Sequence, residues 1–322
     1  MGSGAFKEVV LFSRGRKYDN LPYILKVELE KHALGAELVE LKYTCDHNAF
    51  YKGGDTLWLN GKKLSTKIAK VVVFRGFDDV LLKTPYKIDS ADHLIASTSH
   101  AAFVYGLFGL FKNSTWINNP VAINRAKYKI QQLNFAEELG FLVPPSLVTN
   151  NYSDVKNFLV NHPNSIIKPL GPHIIIGNKK FIYTNKLARK DLIGHKDSIS
   201  MAPFIVQKFI ESDLSYRVTV IGKKVFSIGI NPVKEADKMD WRRYDKTTKY
   251  KIMQLPSKVR NGCIAMTRAY GLVYSTIDLI MDKEGDIYFL EINPSGQYSW
   301  LEKMCDVKIT DYFVKYIKTL VN

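Results

Sequence analysis

FLEINPSGQYSWLE, residues 289–302, is the most informative stretch of this sequence. Its first half alternates as a β-strand does, so Glu291 and Asn293 point to the same face and could hold one cation. The preceding residues, VYSTIDLIMDKEGDIY, place β-branched and apolar runs on both sides of a turn signal at residues 282–285. The sequence therefore predicts an antiparallel hairpin that carries oxygen-bearing side chains near its end.

The loop length of this hairpin decides which residue faces Glu291. A two-residue loop at Glu284 and Gly285 puts Asp278 opposite Glu291, whereas a three-residue loop shifts the parity and weakens that pairing. Facing carboxylates destabilise a sheet unless a positive charge lies between them, and a divalent metal is the natural candidate. Two carboxylates and an amide suit Mg²⁺. Two solvated acids on an outer sheet face are the alternative.

Composition and charge limit the class of protein. A chain of 322 residues with 46% hydrophobic residues fits two or three packed globular units. Lys and Arg number 46 against 31 Asp and Glu, and the resulting net charge of +15 favours anionic partners. The sequence has no arginine-rich tail, zinc-finger spacing or aromatic RNA-binding motif, so nucleic acid is not expected as the main partner.

The sequence shows no feature typical of a membrane or secreted protein. The longest apolar run, residues 101–111, is too short to span a bilayer and is expected to be a buried helix, and no membrane partner is expected. The N-terminus lacks the progression of a secretory signal, and the three cysteines are too dispersed for a disulfide framework or a metal knuckle. A cytoplasmic protein is expected.

Apolar segments alternate with helical patterns in the first third of the chain. Residues 7–12 and 70–74 are predicted to be strands, and Asn60-Gly61 is a hairpin signal. Residues 116–120 are predicted to be a linker, followed by one amphipathic helix over residues 122–139. The pattern is that of an α/β (α+β) protein. Three domains are predicted, an N-terminal one at 1–118, a central α/β one at 119–202 and a C-terminal antiparallel-sheet one at 203–322.

A glycine-rich phosphate loop is not predicted, because the sequence contains neither GxxxxGK[ST] nor GxGxxG. Lysines and metal would then have to hold any phosphates. Lys168 ends the apolar segment SIIK, where a lysine is unusual unless it faces a cleft. Lys129 lies on the helix predicted at residues 122–139, where a solvated lysine is the alternative.

An adenine slot is predicted along FIVQKFI, residues 204–210, because this strand is apolar and its last backbone groups could meet a base edge. Glu211 or Asp213 follows directly and could accept ribose hydroxyls. Arg217 lies among valines and isoleucines in YRVTVIG, and burying it is costly unless a phosphate or carboxylate satisfies it. Arg242, in DWRR, is a second candidate for this role.

Taken together, these residues resemble those of the ATP-grasp ligases in type and order. More narrowly, NRAKYKIQQLNFAEELGFLVPPSLVTN, YRVTVIG, DWRRY and FLEINPSGQYSWLE look like the RimK-like graspetide (microviridin-type) peptide maturases, which make side-chain ester or amide crosslinks in ribosomal peptides. The resemblance covers residues 118–322. Its motif Glu-x-Asn-Pro is shared by many ATP-grasp enzymes, whereas SGQYSWLE is more specific to this branch.

The resemblance implies an ATP-grasp fold with an N-terminal pre-ATP-grasp domain, and binding of ATP and Mg²⁺. It implies a ligase that activates Asp or Glu side chains of an acidic, ribosomally made precursor peptide and crosslinks them to Ser or Thr hydroxyls or Lys amines. The implied roles are phosphate binding by Lys129 and Lys168, adenine and ribose contacts from Gln207, Lys208, Phe209, Ile210 and Glu211 or Asp213, Mg²⁺ ligation by Asp278, Glu291 and Asn293, and orientation of the acyl phosphate and substrate carboxylate by Arg217 and Arg242.

One segment departs from the family pattern, since the loop after Lys168 reads PLGPH and lacks a glycine-rich flap. Two other functions stay open: a carboxylate–amine ligase of the same fold acting on free amino acids or small substrates, and a basic ATP- or peptide-binding module without turnover. No His or Cys constellation suggests a covalent intermediate, and His173 is the one histidine near a candidate residue. A homodimer is left open.

Overall fold

The computed structural model describes residues 6–13, 15–16, 19–41, 49–51, 53–75, 90–171, 184–232 and 248–322. Within them the strands are β1 (Val9–Ser13), β2 (Ala36–Glu40), β3 (Ala49–Tyr51), β4 (Thr56–Leu59), β5 (Lys62–Ser65), β6 (Val71–Phe74), β7 (Thr115–Ile117), β8 (Ser146–Thr149), β9 (Ser165–Pro169), β10 (Asn185–Leu187), β11 (Phe204–Lys208), β12 (Leu214–Ile221), β13 (Lys224–Asn231), β14 (Lys249–Ile252), β15 (Tyr274–Met281) and β16 (Ile287–Asn293).

The α-helices of the same ranges are α1 (Leu21–Lys31), α2 (Ala91–Gly109), α3 (Pro120–Arg125), α4 (Lys129–Glu138), α5 (Tyr152–Asn161), α6 (Lys196–Ser200), α7 (Ser257–Ala269), α8 (Ser299–Cys305) and α9 (Ile309–Val321). A 3₁₀ turn covers Arg189–Leu192. No helix of the described residues is long and apolar enough to cross a membrane.

The chain forms two compact units, and both are discontinuous in sequence. The first unit contains Met1–Ile123, Gly271–Tyr274 and Pro294–Asn322, and the second contains Asn124–Tyr270 and Ser275–Asn293. The chain therefore leaves the first unit, returns briefly before β15, and returns again after β16. The division into three domains at residues 118 and 202 stays a prediction.

The first unit is built around a parallel sheet with the strand order β2-β1-β6-β7. β1 and β6 are buried along their whole length, as expected for central parallel strands that read VVLFS and VVVF. The strands predicted at residues 7–12 and 70–74 are confirmed. The hairpin signal is confirmed as well, because Asn60 and Gly61 both have positive φ and join β4 to β5 in a two-residue turn.

The predicted linker at residues 116–120 is wrong. Residues Thr115–Ile117 form β7, which pairs in parallel with β6 at the edge of the first unit's sheet. The error has a physical cause, since a three-residue edge strand is too short to show the alternation on which strand prediction depends. Asn118, the next residue, is 1% exposed and carries out a specific task described below.

The second unit contains two sheets, and apart from the contact of β12 with β15 their strands pair antiparallel. The smaller has the order β10-β9-β11-β8, and its strands β9 and β11 confirm the strands predicted near Lys168 and Gln207. One face of it packs on a cluster of Val155, Leu159, Leu187, Leu192, Ile199 and Val206. The larger sheet has the order β14-β13-β12-β15-β16, so that β16 is its last strand.

The single helix predicted over residues 122–139 is in fact two helices, α3 and α4, separated at residues 126–128. The carbonyl of Ala126 at the break accepts a hydrogen bond from the Gln132 side chain at 2.6 Å. That bond satisfies a backbone acceptor that the interruption would otherwise leave unpaired inside the protein. Lys129 consequently begins a helix rather than lying in the middle of one.

The hairpin of β15 and β16 has the predicted pairing for a different reason. Its loop is three residues long, because Asp282 and Asp286 still pair and Gly285 at φ +92° closes the turn. A β-bulge between Asp278 and Leu279 then shifts the register by one, with Leu279 opposite Phe289 and Asp278 opposite Glu291. The premise of a two-residue loop is wrong, but the facing of Asp278 and Glu291 is confirmed because the bulge restores the parity.

Candidate active site

Two cations accompany the facing carboxylates of β15 and β16. Arg217, on β12, donates from Nη1 to both carboxylate oxygens of Asp278 at 2.8 and 3.0 Å. Lys129, at the start of α4, has its Nζ 3.9 Å from Oε2 of Glu291. The protein itself thus supplies the positive charge that two facing acids require.

The ion pair of Arg217 and Asp278 is buried, with side-chain exposures of 6% and 7%. The sequence had required an anionic partner for Arg217 and suggested a phosphate or a substrate carboxylate. Within the second unit the partner is Asp278, on a strand sixty-one residues further along the chain. Whether Arg217 also orients a substrate group stays a prediction.

The candidate metal ligands fit Mg²⁺ by their chemistry. Glu291 and Asn293 lie on one face of β16, where Glu291 is partly exposed and Asn293 exposed, while Ile292 between them is buried. Their oxygens, with those of Asp278, are hard donors that leave room for water and phosphate. Asp278 would have to share its carboxylate with Arg217. Among the described residues no three His, Cys, Asp or Glu side chains form a metal site, so an all-oxygen site here depends on the amide of Asn293.

Lys168 is held by a short chain of polar side chains on the smaller sheet. Its Nζ donates to Oε1 of Gln207 at 2.6 Å, and Nε2 of Gln207 donates to Oγ of Ser146 at 2.7 Å. Gln207 is 1% exposed, so this amide has a fixed orientation and can serve Lys168 as an acceptor. The arrangement orients the Lys168 amine, while a contact of Gln207 with adenine stays a prediction.

The backbone expected to meet adenine already makes internal hydrogen bonds. The N–H groups of Lys208 and Phe209 donate to the carbonyls of Pro145 and Asn164 at 2.8 and 2.9 Å. An adenine amino group would therefore have to use the carbonyl oxygens of this segment rather than those two donors. Ile210, 8% exposed, offers an apolar surface beside them.

The two acids proposed for the ribose lie in an exposed loop. Glu211 forms an ion pair with Lys283 at 2.8 Å, and both side chains are more than half exposed. The hydrogen bond and the charge of Lys283 lower the pKa of Glu211. Asp213, also exposed, directly precedes β12. A ribose contact of Glu211 or of Asp213 stays a prediction.

Residues 295–300 are anchored inside the first unit. Nη2 of Arg75 donates to the carbonyls of Ser295 and Gly296, both at 2.9 Å, and its Nε donates to Asp19 at 2.8 Å. Nε2 of Gln297 donates to the same Asp19 carboxylate at 2.7 Å. The loop that distinguishes the peptide maturases in the resemblance is therefore fastened by a buried ion pair, and Gln297 is one of its internal contacts.

The pKa values of Asp19, Arg75 and Tyr298 all depart from their ordinary values. Burial alone would raise the pKa of Asp19, but the charge and hydrogen bond of Arg75 and the amide of Gln297 outweigh it and lower that pKa. Burial opposes the charge of Arg75, yet Asp19 and Tyr274 raise its pKa above the ordinary value. Tyr298, fully buried beside them, has its pKa raised by burial. Asp19 and Arg75 are thus charged at neutral pH.

Asn118 uses its whole side-chain amide on backbone groups of the first unit. Nδ2 donates to the carbonyls of Tyr274 and Pro294 at 2.7 and 2.8 Å, and Oδ1 accepts from the N–H groups of Val273 and Tyr274 at 2.8 and 2.9 Å. Tyr274 begins β15, and Pro294 follows Asn293 directly. Asn118 therefore fixes the backbone where the chain enters β15 and where it leaves β16.

Several contributors were missed by sequence reasoning: Asn118, Gln132 and the pair Asp19–Arg75. Only Gln132 had a local signal, since it lies three residues after Lys129 and four before the buried Ala136, on the inward face of α4. Two candidates, Arg242 and His173, lie outside the described residues, as do residues 172–183 after the Lys168 strand.

Comparison with known proteins identifies a family whose sequence model matches this chain. The profile of the RimK-like ATP-grasp domain matches residues 126–317, which is more than half of the chain. A search of the curated proteins found no match.

Solved structures share the fold over nearly the whole chain. Macrocyclase MdnC from Microcystis aeruginosa MRC, bound with precursor peptide MdnA, superposes with a TM-score of 0.83 at 23% identity, covering 97% of this chain and 99% of that one. A RiPP-associated ATP-grasp ligase from Chryseobacterium gregarium, in complex with ADP and a leader and core peptide, gives 0.78 at 24% identity, covering 98% and 96%. ATP-grasp ligase PsnB, complexed with a precursor variant, Mg and ADP, gives 0.77 at 18% identity, covering 99% and 100%.

Proposed function

The chain belongs to the RimK-like ATP-grasp family, and from that premise we propose that it is an ATP-dependent ligase that crosslinks a ribosomally made precursor peptide. It activates Asp or Glu side-chain carboxylates as acyl phosphates and joins them to Ser or Thr hydroxyls or Lys amines, forming macrocyclic esters or amides. The observation that carries the proposal is the pair Asp278–Glu291 with Arg217 and Lys129 against it. The fold likeness to peptide macrocyclases supports the choice of substrate.

The first step needs a site that gathers negative charge. A carboxylate oxygen of the peptide attacks the γ-phosphorus of ATP, the bond to the β-phosphate oxygen breaks, and ADP leaves. We assign Lys129 and Lys168 to the phosphates, where their ammonium groups reduce the repulsion between ATP and the approaching carboxylate. Bound Mg²⁺, held by Asp278, Glu291 and Asn293, would supply further charge neutralisation.

The second step is governed by positioning. A hydroxyl or amine of the same peptide attacks the acyl carbon, the carbon–oxygen bond to phosphate breaks, and the proton of the nucleophile passes to the departing phosphate or to water. We assign Arg217 to orientation of the acyl phosphate. Its guanidinium contacts Asp278 on β15 and can exchange one of these hydrogen bonds for one to a phosphate oxygen. Arg242 has the same proposed role. The remaining adenine and ribose assignments along residues 207–213 belong to this proposal.

The partner and the compartment follow from charge and chemistry. A net charge of +15 favours ATP and an acidic precursor peptide over neutral substrates. We propose a cytoplasmic location, where ATP is abundant and free thiols such as the buried Cys263 stay reduced. A homodimer is part of the proposal, and sedimentation at several protein concentrations tests it.

The deciding experiment is mass spectrometry of the peptide encoded beside this gene after incubation with the protein, ATP and Mg²⁺. Loss of one water mass per bond, together with ADP, supports crosslinking. Addition of an amino-acid mass would instead assign the chain to ligases of free amino acids, and absence of ADP would refute both ligase functions. Glu291→Gln serves as the inactive reference, since it keeps the size of the side chain and removes its charge.

A further inference from the structure

The outer edge of β16 is covered by groups from α4 and the segment after it. β16 is the last strand of its sheet, so its outward backbone groups need partners from elsewhere. The N–H of Phe289 donates to the carbonyl of Leu142 at 2.8 Å. At Ile292 the partner is a side chain: its N–H donates to Oε1 of Gln132 at 3.1 Å, and its carbonyl accepts from Nε2 of Gln132 at 3.0 Å.

Gln132 thus pairs with β16 as a neighbouring peptide group would. A side-chain amide offers the same donor and acceptor as a peptide bond, so it can occupy both backbone groups of one residue on a strand edge. The second N–H of Nε2 donates to the carbonyl of Ala126 at 2.6 Å. One buried side chain, 4% exposed, therefore connects the end of α3, the body of α4 and the edge of β16.

This contact lies between the two residues assigned to the metal. Ile292 separates Glu291 from Asn293 on β16, and Lys129 lies one turn before Gln132 on α4. Residues three apart on a helix share a face. The hydrogen bonds of Gln132 to β16 therefore also fix the position of Lys129 relative to that strand. The result is the 3.9 Å approach of Lys129 Nζ to Glu291 Oε2.

We propose that Gln132 is a positioning residue of the ligase site, which registers α4 on the edge of β16 so that Lys129 and Glu291 face the same MgATP. The inference rests on the proposed function for the roles of Lys129 and Glu291. Gln132 itself touches no substrate, because its amide is spent on Ala126 and Ile292. Its effect on the reaction passes through Lys129.

A purely structural role for Gln132 makes a different prediction. If the amide only satisfied buried backbone groups, its loss would lower stability without a specific link to Lys129. If it positions Lys129, the two residues must be coupled in their effect on nucleotide binding. Coupled residues give non-additive effects in a double-mutant cycle, whereas independent ones add.

The test uses Gln132→Met, which has similar length but no amide, in the full-length protein. Gln131→Met is the matched control, because Gln131 is the neighbouring, exposed glutamine of the same helix. Affinity for MgATP is measured by calorimetry with a non-hydrolysable ATP analogue and Mg²⁺, and melting temperatures are recorded for each variant. Both substitutions are also combined with Lys129→Met.

We expect Gln132→Met to weaken nucleotide affinity by about tenfold, and Gln131→Met to change it by less than about twofold. In the Lys129→Met background, Gln132→Met should add less than about a further twofold, since the amine that it positions is gone. Equal effects of the two glutamine variants, or a full additional loss in the Lys129→Met background, would overturn the inference.

A second variant covers loss of folding. If Gln132→Met does not melt cooperatively, Gln132→Asn replaces it, because the side chain stays neutral while its amide is one methylene further from Ala126 and Ile292. The same cycle and the same two outcomes then apply. Turnover is read separately: a wild-type protein that binds MgATP but forms no ADP with the peptide refutes the proposed function, while the affinities still decide the role of Gln132.

Discussion

Removal of one partner from the buried pair Arg217–Asp278 should destabilise the second unit severely. Arg217→Met removes the arginine partner from the carboxylate of Asp278, whose side chain is 7% exposed, with two hydrogen bonds of 2.8 and 3.0 Å lost. Breaking a buried ion pair in this way costs about 3–5 kcal/mol. For a folding unit of 150–250 residues this corresponds to a fall in melting temperature of roughly 6–20 °C.

The matched control is an exposed ion pair of the same length. Lys283 and Glu211 also approach to 2.8 Å, but both side chains are more than half exposed. Solvent screens such a pair, so Lys283→Met should shift the unfolding midpoint far less than Arg217→Met. The comparison sets a buried pair with two hydrogen bonds against an exposed pair with one, at the same shortest distance of 2.8 Å.

The double variant Arg217→Met, Asp278→Leu provides the second check. Replacing both members of a buried pair by apolar side chains removes the unpaired charge, and such replacements are often neutral in stability. The double variant should therefore recover most of the stability lost in Arg217→Met, while ADP formation stays absent because Asp278 is a proposed metal ligand. Urea unfolding followed by far-ultraviolet circular dichroism, which reports on the helices and strands of both units, gives the midpoints. A midpoint for Arg217→Met equal to that of Lys283→Met, or no recovery in the double variant, would refute the reasoning.

Three further predictions concern single residues. Glu291→Gln should abolish ADP formation with an unchanged melting temperature, and turnover at the wild-type rate would disprove its role at the metal. The folded-state pKa of Asp19 is lowered from 3.8, so the stability that it contributes with Arg75 is present above that value and is lost as pH falls through the folded pKa. Asp19→Asn should therefore reduce the dependence of the urea unfolding midpoint on acidic pH. An unchanged dependence would contradict this. Burial raises the pKa of the Cys263 thiol to about 12, so iodoacetamide at neutral pH should modify it only after unfolding, and later than the half-buried Cys305; mass mapping of the alkylated peptides checks the order.

Sequence patterns predicted the parts of this structure that depend on neighbouring residues. The buried strands β1 and β6, the Asn60-Gly61 turn and the hairpin of β15 and β16 all follow from alternation or turn chemistry over a few residues. In each case the decisive information lies within one element, or in a motif whose residues keep a fixed order. The resemblance assigned Lys129 to phosphate and Glu291 to the metal, and in the structure their side chains approach to 3.9 Å, a contact that was not predicted.

The partners of the buried polar residues were beyond local patterns. The sequence showed that Arg217 needs an anion, but choosing Asp278 over a substrate requires knowing that β12 and β15 lie in one sheet. Gln207 was assigned to adenine, which stays a prediction, whereas its hydrogen bonds with Lys168 and Ser146 could not be read from the strand pattern. A side-chain amide can pair with any backbone group or polar side chain, so its identity alone does not select one.

The bulge opposite Asp278 also has a consequence for insertions and deletions. Loop and bulge each add one residue relative to a regular two-residue hairpin, and together they leave Asp278 opposite Glu291. A deletion within the loop that keeps Asp282 paired with Asp286 would leave Asp278 opposite Glu291, whereas a deletion that moves this closing pair by one residue would shift the register of the hairpin. Homologous chains that differ by one residue in this turn should therefore keep the equivalent of the pair Asp282–Asp286 and the bulge near Leu290, and a shorter turn grafted into this hairpin must preserve that closing pair.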